Sequence, residues 1–161
     1  MKPADIILVK GTDILDKLIE DAEHSVYSHC ALAINDTTVI QAAFAGVDYL
    51  NINSFDIYDV YTCDSLTDDQ RSGIINYAVS QLGKKYDYKL LAWEIVHLEF
   101  DFEFPIEEKN KFICSTFVAD SYDSQKVFIC PTDLYPTPED ISISELLRLY
   151  SKVTHVDNLI L

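Results

Sequence analysis

Phe112-Ile113-Cys114-Ser115-Thr116-Phe117-Val118-Ala119-Asp120-Ser121-Tyr122-Asp123-Ser124 is the stretch on which the reading of this chain turns. Phe117, Val118 and Tyr122 share a face with Cys114 at helical spacing, whereas Asp120 and Asp123 point elsewhere, so the stretch predicts an amphipathic helix over 114–124. Its cysteine then stands at the helix N-terminus, where the aligned peptide dipoles place partial positive charge and favour a thiolate. A cysteine that only fills space at the start of a core helix has the same pattern.

Working outward from that helix, the chain changes period twice. Upstream, Thr67 followed by Asp68, Asp69 and Gln70 reads as an N-cap with an acidic first turn, and Ile74, Ile75, Ala78, Val79 and Leu82 continue at helical spacing until Gly83. A second helix is expected over 89–97, followed by a half-buried strand in which Leu98, Phe100, Phe102, Phe104 and Ile106 alternate with acidic residues. The first sixty-odd residues read mostly as strands at 6–9, 28–34, 38–43 and 57–63, with a short amphipathic helix over 13–21 and a turn at Asn35-Asp36. Downstream, Pro131, Pro136 and Pro138 mark a loop, then a short helix is expected over 142–150 and a last strand over 153–161. The reading is α+β, a small antiparallel sheet followed by the helical pieces, in one domain spanning 1–161.

Two of the strands carry polar side chains that bear on the cysteine. In Ser28-His29-Cys30-Ala31-Leu32-Ala33-Ile34, alternation puts His29 on one face with Ala31 and Ala33, small residues that leave room for a nucleophile-bearing helix to pack over them. In Val39-Ile40-Gln41-Ala42-Ala43, Gln41 is polar among apolar neighbours and, if buried, needs a hydrogen-bond partner, for which an imidazole nitrogen of His29 is suited. A histidine close to a thiol supplies a base, and an amide oxygen on its other nitrogen fixes the ring. A strand histidine satisfied within a core is the bland alternative.

Composition limits the rest. The chain has 161 residues, 48% of them hydrophobic, with four glycines and five prolines, so no flexible linker is expected. Twenty-seven acidic against twelve basic residues give a formal charge of −15, which opposes nucleic-acid and anionic-bilayer partners. No run approaches the roughly 18 apolar residues of a membrane helix, and no signal-peptide core is seen, so a cytoplasmic protein without stable membrane insertion is expected. Cys30, Cys63, Cys114 and Cys130 form no CxxC pair, so reduced thiols are expected, with no cofactor. Nor is a metal expected: a zinc site would have to draw on scattered residues such as His24, His29 and Cys30.

Taken in order, these segments resemble the NlpC/P60 superfamily of papain-like cysteine enzymes, in its circularly permuted branch of YiiX/YebB-like proteins and lecithin-retinol acyltransferase relatives. Pro3-Ala4-Asp5-Ile6-Ile7-Leu8 resembles the family's Pro-Gly-Asp strand, Ser28-His29 its histidine strand, and Val39-Ile40-Gln41-Ala42, followed by Gly46-Val47, its polar strand. Leu82-Gly83-Lys84-Lys85-Tyr86-Asp87 resembles the Gly-x-x-Tyr-Asp segment, and Phe112 to Val118 the nucleophile helix. The resemblance implies a permuted papain-like fold, a small antiparallel sheet packed against a nucleophile-bearing helix. It implies Cys114 as nucleophile, His29 as base and Gln41 as third member, with Tyr86, Ser28 and Ser115 along the substrate site, although Tyr86 also reads as an aromatic core residue. Ala4 stands where the family has glycine, and the aromatic and acidic stretch 93–108 is either a wall of the cleft or a structural hairpin. The activity implied is hydrolysis of a peptide amide or an ester. A thiol-dependent lipid acyltransferase and a non-catalytic binding protein on the same fold are the alternatives.

Overall fold

The computed structural model describes residues 1–11, 25–86, 111–130 and 136–155. Five strands come first: β1 (Ile6–Val9), β2 (His29–Ala33), β3 (Thr38–Ala43), β4 (Gly46–Asn51) and β5 (Ile57–Thr62), with a 3-10 turn at Ile52–Ser54. Helix α1 (Asp68–Ser80), the two-residue strands β6 (Lys85–Tyr86) and β7 (Lys111–Phe112), helix α2 (Cys114–Asp123), the short helix α3 (Pro138–Ser142) and strand β8 (Arg148–Thr154) follow. The architecture is α+β, as the sequence implied. The expectations for 13–21, 89–97 and 98–106, for Pro131 and for residues 156–161 of the last strand lie outside the described residues.

The main sheet has six antiparallel strands in the order β4-β3-β2-β1-β5-β8, and β6 pairs with β7 in parallel. β1 lies inside this sheet with both neighbours antiparallel, and its four apolar residues are all buried, which is why it reads as a continuous run rather than an alternation. Alternation along β2 and β3 divides the core. Cys30, Leu32, Ile40 and Ala42 join Phe117, Val118 and Tyr122 of α2 and Ile74 and Ala78 of α1 on one face, while Ala31, Ala33 and Val39 meet Ile52, Phe55, Tyr58 and Val60 on the other. The helix therefore packs on the cysteine and leucine face of β2. This corrects the expectation that it would lie over Ala31 and Ala33: that face is filled instead by the side chains of β5 and of the 3-10 turn.

α1 begins where the cap predicts. Thr67 Oγ1 accepts from Gln70 N at 3.2 Å and Gln70 Oε1 accepts from Thr67 N at 3.0 Å, a reciprocal capping box. From α1, Arg71 reaches under the sheet and donates to Asp5 Oδ1 (3.0 Å), Pro3 O (2.8 Å), Thr62 Oγ1 (3.3 Å) and Cys63 O (2.8 Å), a buried charge with its hydrogen bonds met. α2 is held to the same corner by Tyr122, whose hydroxyl donates to Ala4 O at 2.5 Å. Ala4 itself is at φ 65°, in the left-handed region that favours glycine.

The C-terminal part differs from the sequence reading. The helix is at Pro138–Ser142, begun by Thr137 and Asp140 in a capping box with proline in the first turn, and not over 142–150. The last strand starts at Arg148, five residues earlier than expected, as the partner of β5. Of Leu146, Leu147 and Tyr150, the apolar residues on which that helix was read, Leu146 and Tyr150 are exposed and only Leu147 packs against the core, so little burial stabilises a helix there.

Candidate active site

The site forms where β2 and β3 part. Their ladder pairs Leu32 with Ile40 and Ala33 with Val39 and goes no further toward His29, whereas β3 stays paired with β4 over its whole length. Ala33 N donates to Asp5 O at 2.8 Å on the β1 side, so by alternation the N–H of Cys30 turns toward β3. In the gap it meets the first residue of α2. Cys114 is 7% exposed, and its sulfur lies where the Cys30 side chain, the Cys30 backbone N–H and His29 act on it by hydrogen bonding and charge.

These contacts set the electrostatics of the thiol. The Cys30 hydrogen bond and the positive charge and hydrogen bond of His29 hold the Cys114 thiol well below the usual thiol range, against a burial that pushes it up. The place of Cys114 as first residue of α2 acts in the same direction, because its N–H and the next two have no carbonyl partner within the helix.

His29 is held from its other side. Its Nε2 lies 2.8 Å from Gln41 Oε1, and Gln41 Nε2 donates to Asp48 Oδ1 at 3.2 Å. Gln41 is 6% exposed, so its amide is a buried polar group with both ends satisfied. Phe55 packs beside the imidazole with ring centroids 5.9 Å apart. An open groove of about 290 Å³ reaches the pair, lined by Val9, Ser28, His29, Gln41, Ala43, Phe44, Leu50 and Phe55. Cys114 is not among these residues. The groove belongs to the sheet face away from α2, since Val9 and Phe55 are core residues of that face.

The structure thus brings together Cys114, His29 and Gln41. Ser115 is buried in α2, and Ser28 is buried at the groove, its Oγ having no hydrogen-bond partner among the described residues. The backbone of Tyr86 is in β6, but its side chain lies outside the described residues. Two participants escaped the sequence reading. Cys30 was assigned to the face opposite His29 and so away from the thiol, and Asp48 lies in β4, a strand not predicted. The signal for Asp48 was its position in Gly46-Val47-Asp48, where a hairpin closing at Gly46 sets it against Gln41.

A model of the permuted papain-like amidase enzymes of the YaeF/YiiX family matches residues 1–135, which include every element from β1 through α2. The chain belongs to that family. This member is accordingly a cysteine peptidase or amidase by class, and its fold is the permuted papain-like one. Among solved structures, the family member is similar to the metalloprotein YiiX from Escherichia coli O157:H7, with a TM-score of 0.71 and 19% identity over 95% of this chain and 98% of that one. No curated protein matches in sequence. Among the described residues of this amidase-family chain, no group of three or more His, Cys, Asp or Glu side chains could hold a metal ion, and no helix is long and apolar enough to cross a membrane.

Proposed function

We propose that this family member hydrolyses an amide, of peptide type, or an ester through an acyl-enzyme on Cys114, with His29 as general base and Gln41 as the residue that holds the imidazole. The observation that carries the reading is the His29 ring between two partners, the Cys114 thiol on one side and Gln41 Oε1 at 2.8 Å on the other. His29 takes the thiol proton, and the thiolate attacks the carbonyl carbon to give a tetrahedral oxyanion. The Cys114 N–H at the start of α2 faces the developing negative charge. Imidazolium then protonates the leaving amine or alcohol, a thioester remains on Cys114, and water activated by His29 cleaves it to release the acid and restore the thiol. Gln41 carries no charge in this cycle. Its amide oxygen accepts from Nε2–H and so leaves Nδ1 for the sulfur. Ser28, Ser115 and Tyr86 are the residues assigned to the substrate side.

A second reading is favoured by one feature, the apolar lining of the groove by Val9, Ala43, Phe44, Leu50 and Phe55. A lipid acyl group resolved by an alcohol or amine instead of water would make the same thioester chemistry an acyl transfer.

The test is the rate of iodoacetamide alkylation at each cysteine between about pH 5 and 9, followed by mass spectrometry in wild type and His29→Ala. Fast reaction of Cys114 below neutrality, lowered roughly a hundredfold at about pH 6 by the substitution, is the expected result. If Cys114 reacts no faster than Cys63 or Cys130, the catalytic reading fails. Release of acid from acyl amides by wild type, with no transfer to added alcohols or amines, then separates hydrolase from acyltransferase.

A further inference from the structure

The Gln41 amide has two ends of nearly equal shape, and only one orientation serves His29. With Oε1 toward His29, the ring keeps its proton on Nε2 and presents a bare Nδ1 to the sulfur. With the amide reversed, its N–H would require Nε2 as acceptor, the neutral ring would carry its proton on Nδ1, and it could not accept the proton of Cys114. Nothing in the His29–Gln41 pair alone selects between them, because the imidazole can donate or accept at either nitrogen. The selection comes from the far end of the amide. Gln41 Nε2 lies 3.2 Å from Asp48 Oδ1, and an ionised carboxylate only accepts, so the reversed amide would set two acceptors against each other.

We propose that Asp48 is a positioning residue, which fixes the direction of the Gln41 amide and through it the tautomer of His29 that faces Cys114. This rests on the Cys114–His29–Gln41 reading above. The backbone holds Asp48 in place for this. Asp48 is directly opposite Gln41 in the β3–β4 ladder. The start of β4 is clamped by Val47 N donating to Lys84 O and Gly83 N donating to Val47 O, each at 2.9 Å. Gly46, at φ 111°, has no room for a side chain, since a Cβ there would stand 2.4 Å from Lys84 O. Asp48 is half-buried, so one carboxylate oxygen engages the amide while the side chain keeps a face toward solvent.

The experiment compares Asp48→Asn, Gln41→Ala and the double variant with wild type. Asparagine keeps the size of the side chain but presents a donor or an acceptor equally, so the Gln41 amide loses its preferred direction. The expected result is a roughly tenfold fall in the rate of Cys114 alkylation by iodoacetamide at about pH 6 in Asp48→Asn, the scale of one hydrogen bond to a charged group. Its pH profile should move up toward an ordinary thiol, and the double variant should be no slower than Gln41→Ala. Long-range proton–nitrogen correlation spectra of His29 at high pH should show one tautomer, protonated at Nε2, in wild type and a mixture in Asp48→Asn. An unchanged profile and tautomer in Asp48→Asn, or a loss that adds in full to that of Gln41→Ala, overturns the assignment while leaving the catalytic reading intact. A wild-type Cys114 of ordinary reactivity overturns both. Should Asp48→Asn fail to fold, Asp48→Ser carries the same outcomes.

Discussion

Cys30 stands next to the assigned base in sequence and next to the assigned nucleophile in space, and it acts on the thiol with two donors of different permanence. Its S–H can be removed, but its N–H belongs to the backbone and survives any substitution except proline. Cys30→Ala should therefore slow Cys114 alkylation at about pH 6 severalfold, less than His29→Ala does, and move the pH profile upward, as read by the same mass-spectrometric assay. The depressed thiol pKa also has a consequence for folding. Stability drawn from the Cys114 thiolate is present in full above the unfolded thiol range of about 8.5 and is lost as pH falls through the depressed folded value. Urea unfolding of Cys114→Ser should lack that fall, so its stability relative to wild type improves as the medium is acidified. At this scale the sequence was informative where a polar residue interrupts an apolar run, as Gln41 does, because burial then demands a partner. It was weaker on Asp48, since a single carboxylate beside Tyr49 reads as a solvated surface charge unless the hairpin at Gly46 is recognised first.

Elements whose formation is set by local chemistry were legible and those set by a neighbour were not. The capping box at Thr67 announces α1, and the apolar stripe from Cys114 to Tyr122 announces α2, because each stabilises its own helix before any tertiary contact. β4 and β8 are the outer strands of the main sheet, with one paired neighbour each and mostly unburied side chains, so β4 was not predicted and the start of β8 was placed five residues late. The face of β2 on which α2 lies was misread for a related reason. Small alanines suggested a close helix approach, but the thiol enters at the gap beyond Leu32 and Ile40, where no face rule applies. The Pro3-Ala4-Asp5 turn offers an element-scale test. Ala4 is buried at φ 65°, a conformation costing an alanine about 1 kcal/mol, while glycine would lose the packed methyl group and gain unfolded-state entropy. Ala4→Gly should shift stability by less than about 1 kcal/mol, and Ala4→Val, branched at Cβ in the left-handed region, should lose about 2 kcal/mol or more. Chemical denaturation of the two variants checks both.

Across the whole molecule, one cation joins pieces far apart in the chain. Arg71 binds Asp5 and Pro3 before β1 and Thr62 and Cys63 at the end of β5, while Thr62 Oγ1 donates to Asp5 Oδ1 at 2.7 Å. Arg71→Met leaves the Asp5 carboxylate buried without its counter-charge and should cost about 3–5 kcal/mol, seen as a lower urea midpoint at unchanged slope. Joining Arg71→Met to Asp5→Leu should recover a large part of that loss, because removing both charges also removes their desolvation. Chain order has an outcome of its own. Five of the six strands of the main sheet, β4-β3-β2-β1-β5, come from residues 6–62, and α2 follows more than fifty residues later. During synthesis, which delivers the N-terminal part first, the platform holding His29 and Gln41 can assemble before Cys114 leaves the ribosome. The sulfur then emerges as an ordinary cysteine, and it gains its acidity on docking against Cys30 and His29. On the reading proposed for Cys114, a nascent copy of the chain therefore carries no aggressive thiol into the crowded surroundings of translation.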